Sequence, residues 1–245
     1  MNNQIHPTSV ISPRAELGGN VTVGPFSIIH AGVEIGANSE IGSHCEIGLP
    51  SKLADNDRLS IGEHSLIRSH CVFYIGSTFG EKLVTGHHVT VRENTQAGCC
   101  LQLGTRGDIQ GHCQIGDYLK THSHVHIGQK SKIGSYVWMF PDVLLTNDPN
   151  PPSELLLGPI VGNFAVLAAK STLLPGVNIG IGSVVGAQSL VGVDVPDGML
   201  ASGSPAKIVG PASILRMRDN PGVKVYPWNK RFHNGYPEQV VNEWK

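Results

Sequence analysis

Three histidines alternate with small or apolar residues in THSHVH, at positions 121–126. Imidazoles at this density suit metal ligation or proton transfer. They equally suit the solvated face of a strand. Two other stretches carry chemistry-bearing side chains: VREN, with Arg92, Glu93 and Asn94, and TNDPNPPS, with Asn147 and Asp148. Which of these groups meet depends on the elements that carry them.

The chain counts in sixes. Ile5, Ile11, Leu17, Val23, Ile29, Ile35, Ile41 and Ile47 are spaced by six. Four residues after each of the first seven stands a small or β-branched residue: Ser9, Ala15, Val21, Ser27, Val33, Ser39 and Cys45. The phase slips by two near 49–60 and runs again from Ile61 to Leu145. It slips by four near 146–160 and resumes from Val161 to Val191. Of these 29 positions only Thr85, Ala97 and Thr121 lack a large apolar side chain. Helices repeat at about 3.6 residues and strands at about 2, so neither alone sustains a period of six.

The pattern predicts an all-β chain folded as a parallel β-helix, three hexapeptides to each triangular coil. The aliphatic residue fills the interior, the small one fits beneath the corner, and glycine serves the tight corner backbone. Residue n then lies over n+18, about 4.8 Å away. Cys45, Cys71 and Cys113 fall in the small inward slot and read as core fillers. The expected organisation is a β-helix over 1–204, with loops inserted near 49–60 and 146–160, and a short helical or irregular capping tail over 205–245. PAKIVGPASILRMRDNPGV reads as a helix over the last coil. Loops that interrupt a solenoid tend to line its binding face.

Composition agrees. Charged residues are 15% of the chain and glycines number 30, which favours turn-rich β structure over helix bundles. A net charge of −1 gives no electrostatic reason to expect nucleic acid or a membrane surface as partner. MNNQIHPTS lacks the basic start and apolar core of a signal peptide. Five cysteines without framework spacing fit a reducing, cytoplasmic location.

The 18-residue step sorts the polar residues into three columns, one per prism edge. One carries His70, His88, Arg106, His124 and Asp142. A second carries His64, Lys82, Cys100, Tyr118 and Tyr136. The third carries Gly76, Asn94, His112 and Lys130. His124 thus lies between Arg106 and Asp142, with His122 and His126 pointing outward from the strands on either side.

This repeat, an aliphatic residue, Gly, two free positions, a small residue and one free position, resembles that of the hexapeptide-repeat acyltransferases over residues 5–210. IHPTSVISPRAELGGNVTVGPFSIIHAGVEIG looks like the opening of nucleotide-sugar and lipid A acyltransferases. LGPIVGNFAVLAAKSTLLPGVNIGIGSVVGAQSLVGVDVPDGMLASGSPAKIVG looks like the acyl-coenzyme A half of sugar acetyltransferases. TGHHVTVREN and LLTNDPNPP resemble the branch that N-acylates amino sugars on nucleotide carriers. The resemblance implies a left-handed coil, a homotrimer with active sites between subunits, and a donor along the C-terminal coils. Acetyl-CoA or another short-chain acyl-CoA would be the co-substrate, a nucleotide-linked amino sugar the acceptor, and no metal is expected.

In that setting His124 is the preferred proton acceptor and Asp142 its orienting partner, because a carboxylate beside an imidazole fixes its tautomer and raises its basicity. The base of many relatives is the histidine of a His–acidic–Cys–x–Ile/Val–Gly motif. Gln129 stands in that slot, so His88, Glu93, or Asn94 acting through water are alternatives, as is an amine that loses its proton unaided. Arg92, Glu93, His88, Arg106, His122, His126, Asn147 and Asp148 are candidate acceptor contacts. Ala168, Gly180 and Gly186 would keep the donor wall open, with backbone amides binding pantetheine. Lys207 would meet a coenzyme A phosphate.

Other readings remain. They are an O-acetyltransferase or a lipid A-type acyltransferase on another sugar acceptor, a γ-carbonic-anhydrase-like metal enzyme, and a non-catalytic rod. The metal reading leaves the donor-like C-terminal half unexplained.

Overall fold

A computed structural model describes residues 2–228 and 238–242. The chain is a left-handed β-solenoid of about 11 turns. Its three flat faces are sheets of 12, 10 and 9 strands among the described residues, stacked in 18-residue register. Face one includes Lys120–Thr121 and Trp138–Met139, face two Asp108–Ile109 and His126–Ile127, and face three Gln114–Ile115 and Lys132–Ile133.

Most strands are only two residues long. The inner one of each pair is the six-fold aliphatic residue, and from Val23 to Val191 nearly all are buried. Each such burial contributes about 1.5–3 kcal/mol before chain entropy. The three exceptions in the repeat have local reasons. Thr85 and Thr121 are buried, and their hydroxyls accept the amides of Arg68 and Gly104. Ala97 packs at the edge of the same core. Cys45, Cys71 and Cys113 are buried, and burial pushes the Cys113 thiol up to about 11, as expected of an inert filler.

The corners differ from expectation. Their left-handed position is usually not glycine: among the described residues twenty others, His124 (φ 60°) and Asp142 (φ 61°) included, have positive φ. Each costs about 1–2 kcal/mol, offset where the corner amide bonds one coil back, as His124 N to Thr105 O at 3.0 Å. The recurrent spacing of glycine instead answers close approach between coils. A Cβ on Gly104 would lie 2.2 Å from the His122 carbonyl carbon.

Both phase slips are loops on the edge between faces two and three. The first lies between strands Glu46–Leu49 and Leu59–Ile61, the second between Leu144–Leu145 and Ile160–Val161. Glu46 pairs with Val72 across 26 residues and Leu144 with Thr172 across 28, instead of 18.

The segment expected to be a capping helix is a strand. Ala206–Pro211 pairs antiparallel with Met199–Gly203 at the end of face one, followed by a 3-10 turn at Ala212–Ile214. Pro205, Gly210 and Pro211 oppose helix, and the open edge of face one offers strand pairing. The hairpin therefore spans the boundary expected at 204/205. Trp228 is buried against Val166, Val184 and Leu200, and its Nε1 donates to Phe164 O at 2.8 Å, so this residue covers the outer side of face one there. A five-residue helix forms at Glu238–Asn242. The remaining tail lies outside the described residues. No helix among the described residues is long and apolar enough to cross a membrane.

Candidate functional site

The two loops rise from the same edge and bracket four coils of face two. In that window Tyr74, Arg92, Asp108, Gln110 and His126 project from successive coils. The register pairs Thr90 with Asp108 and Asp108 with His126. His126 Nδ1 lies 2.9 Å from Asp108 Oδ2, and Gln110 Nε2 donates to the same oxygen at 2.7 Å. The side chains of His126 and Asp108 are 36% and 32% exposed. Burial alone would raise the Asp108 pKa. The hydrogen bonds of His126 and Gln110 and the charges of His126 and Arg92 outweigh it, holding the carboxyl below its ordinary value.

Around the corner, on the edge between faces one and two, His124 Nδ1 is 3.2 Å from Asp142 Oδ1. This pair is more open, with side chains 50% and 42% exposed. Arg106 occupies the same column one coil earlier, exposed. His88 continues the column and stacks on His70, with ring centroids 4.7 Å apart. His122 lies on the side of face one, its ring 5.1 Å from that of Phe140. The three histidines of THSHVH therefore fan across two faces and one edge. Among the described residues no group of three or more His, Cys, Asp or Glu is placed to hold a metal ion.

Several expected contacts have other engagements. Asn94 is buried and anchors the first loop: its Oδ1 accepts Asp55 N at 2.9 Å and its Nδ2 donates to Leu53 O at 3.0 Å. Its Nδ2 also lies 3.3 Å from His112 Nε2. An amide so occupied has little capacity left to orient a catalytic water. Glu93 is 0% exposed and bonded by Arg92 Nη2 at 2.9 Å and Nε at 3.3 Å. Asp148 closes its own loop, accepting Ser153 Oγ at 2.6 Å and the amides of Ser153 and Asn150. The Ser153 hydroxyl leads the contacts that hold the Asp148 carboxyl below its ordinary value. Asn147 packs over Gly128, where an added Cβ would lie 3.2 Å from its own.

The donor candidates do not form one wall. Ala168 and Gly186 stack above His122 and Phe140 on the one–two edge, whereas Gly180 follows a face-three strand on a different edge. All three amides are engaged in the ladder, donating to Val185, Ala201 and Val195. These residues offer close approach, while their own amides belong to the ladder. Lys207 is exposed and pairs in register with Ser202, which lies against Gly186, so Lys207 joins the Ala168–Gly186 edge.

Tyr74, Asp108 and Gln110 escaped the sequence reading. The 18-residue step applied from His126 would have found the carboxylate that meets it, Asp108. Clefts of about 430 Å³ under the first loop, by Arg14, His30 and Arg58, and of about 470 Å³ on face three, by Gln114 and Lys132, lie apart from the histidines.

Residues 14–49 match the family model described as bacterial transferase hexapeptide (six repeats). The chain is 30% identical over 207 residues, 83% of its length and 72% of the relative's, to the acyl-(acyl-carrier-protein)–UDP-N-acetylglucosamine O-acyltransferase of Stutzerimonas stutzeri (strain A1501). It is 34% identical over 136 residues to the enzyme of that name from Saccharophagus degradans, a match spanning 54% of this chain and about half (48%) of that relative. The crystal structure of UDP-N-acetylglucosamine O-acyltransferase from Moraxella catarrhalis RH4 shares the fold, with a TM-score of 0.58, 20% identity, and coverage of 98% of this chain and 89% of that one. The chain belongs to the hexapeptide-repeat acyltransferase family that these UDP-N-acetylglucosamine O-acyltransferases represent.

Proposed function

We propose that the protein transfers an acyl group from a phosphopantetheine thioester to a hydroxyl of a nucleotide-linked hexosamine bound on face two. The Asp108–His126 pair carries this reading. A sugar hydroxyl is a weak acid and needs a base at the moment of attack, and an imidazole held through one nitrogen by a carboxylate presents the other as acceptor. His126 takes the hydroxyl proton as the oxygen attacks the thioester carbonyl. The tetrahedral oxyanion collapses, the carbon–sulfur bond breaks, and the thiol leaves with a proton. Asp108 stabilises the imidazolium that forms between these steps.

His124, held by Asp142, stands on the donor side of the same corner and is the alternative base. The donor runs from it along Ala168, Gly186 and Lys207. The names of the relatives favour an acyl-carrier-protein thioester; acyl-CoA presents the same pantetheine arm. The half-open corner is completed by a neighbouring copy in a homotrimer, which excludes water from the thioester. N-acylation of a nucleotide-linked amino sugar from acyl-CoA is a second reading, favoured by one observation. Gln129 fills the slot of the usual family histidine, and an amine acceptor depends less on a base than a hydroxyl does.

The test is thiol release from acyl-carrier-protein and acyl-CoA donors against UDP-N-acetylglucosamine and a panel of nucleotide-linked 3-amino and 4-amino sugars. Ester formation abolished by His126→Gln is expected. Turnover confined to an amino sugar establishes the N-acyl reading, and no thiol release with any pair rejects both.

A further inference from the structure

Gln110 directly follows the strand Asp108–Ile109, on the edge from which both loops rise. Its Nε2 donates to Asp108 Oδ2 at 2.7 Å, the same oxygen that His126 Nδ1 meets at 2.9 Å. An ionised carboxylate only accepts, so these two contacts fix two orientations at once. The imidazole keeps its proton on Nδ1 and leaves Nε2 as an acceptor. The amide is locked with its nitrogen on Asp108 and its carbonyl, Oε1, turned away. A flip would set carbonyl against carboxylate, oxygen against oxygen.

Oε1 has no hydrogen-bond partner among the described residues. It is also not sealed from solvent. Among the described residues the buried side-chain N or O atom without a partner is Ser171 Oγ, and Gln110 is half-buried, so its unbonded Oε1 reaches the surface. The neighbours in its column do not claim it. One coil below, Arg92 is taken up by Glu93, at 2.9 and 3.3 Å. One coil above, the pairing of Ile109 with Ile127 places Gly128, which has no side chain. Asn147 of the second loop stands beyond Gly128, 3.2 Å from the place of a Cβ there.

Two acceptors, His126 Nε2 and Gln110 Oε1, therefore flank one carboxylate. Only one of them is needed for the attacking hydroxyl. The other asks for a second donor on the same ligand, and a ligand that lacks one leaves Oε1 unpaired when water is displaced. A hydroxyl rotates to give or to accept, whereas an amide N–H is a fixed donor that matches a fixed acceptor. We propose that Gln110 is a specificity-determining residue whose Oε1 accepts the N–H of an acylamino group on the sugar that His126 deprotonates. This rests on the reading of face two as the acceptor site.

The test is binding, measured by calorimetry without an acyl donor. UDP-N-acetylglucosamine carries the N–H; UDP-2-deoxy-2-fluoroglucose has fluorine in its place and no donor there. Gln110→Met keeps the length of the side chain and removes the carbonyl. It should weaken UDP-N-acetylglucosamine by about 3- to 10-fold and leave the fluoro ligand unchanged, a difference that isolates the one contact. Gln110→Asn, which draws the carbonyl back by one methylene, should do the same and serves if circular dichroism shows Gln110→Met misfolded. Equal losses with both ligands, no loss with either, or no binding of UDP-N-acetylglucosamine to the parent protein overturns the proposal. Failure of the catalytic reading looks different: the N–H selectivity is present in the parent and lost in Gln110→Met, while His126→Gln retains turnover or no thiol is released at all.

Discussion

Asp108 and His126 are 18 residues apart in the chain and one coil apart in space, with 2.9 Å between carboxylate oxygen and imidazole nitrogen. That contact is a product of the β-helix register, since Asp108 pairs with His126 strand to strand. It is tighter and less exposed than the His124–Asp142 contact around the corner.

Asp108→Asn should therefore lower kcat about 100-fold or more while the melting curve stays close to that of the parent. Steady-state kinetics beside circular dichroism decide it; an unchanged kcat removes the pair from the mechanism. His124→Asn, which tolerates the left-handed corner, separates the two bases. It should cost far less than His126→Gln if His126 accepts the proton, and the reverse order would reinstate His124.

The first loop depends on Asn94, whose side chain bonds to the backbone of Leu53 and Asp55. Asn94→Ala leaves those groups unsatisfied, at about 1–3 kcal/mol, concentrated in the loop. Trypsin cleavage after Lys52 or Arg58 should become much faster while the rest of the rod resists. Uniform sensitivity along the chain would show that the anchor is not local.

Phe73 fills a coil interior edge-on to Phe79, with ring centroids 5.4 Å apart. Phe73→Ala should destabilise by about 3–5 kcal/mol, measured by chemical denaturation. A loss under about 1 kcal/mol would mean that the neighbouring coils collapse into the space.

Acid should loosen the N-terminal coils. Phe26, His44, His70 and His88 stack at 4.7–5.0 Å along the one–two edge. Desolvation, then the neighbouring His88, His44 and His87, lower the His70 pKa from 6.5. A histidine pKa lower in the folded than in the unfolded chain means that stability is full above about pH 6.5 and falls as pH drops through that value. Melting temperature should fall between pH 7 and pH 5, and His70→Asn should flatten that slope. An equal slope in both proteins would place the acid sensitivity elsewhere.

The six-residue period determined the all-β solenoid, the interior residues, the three edge columns and the places of both loops, because each coil repeats one steric problem and solves it with the same residue types. His124 over Asp142 was legible for that reason. The C-terminal hairpin was not: PAKIVGPASIL carries no hexad, and the unpaired edge of face one, not local propensity, makes it a strand. The engagement of Asn94 was equally hidden, since residue type names a donor or acceptor but not its partner. Only the tertiary structure decided that Asn94 ties the first loop to the rod, that Gln110 shares the Asp108 oxygen that meets His126, and that Trp228 folds back onto face one. Those facts depend on which face each hexapeptide occupies once the insertions are folded out of the coil.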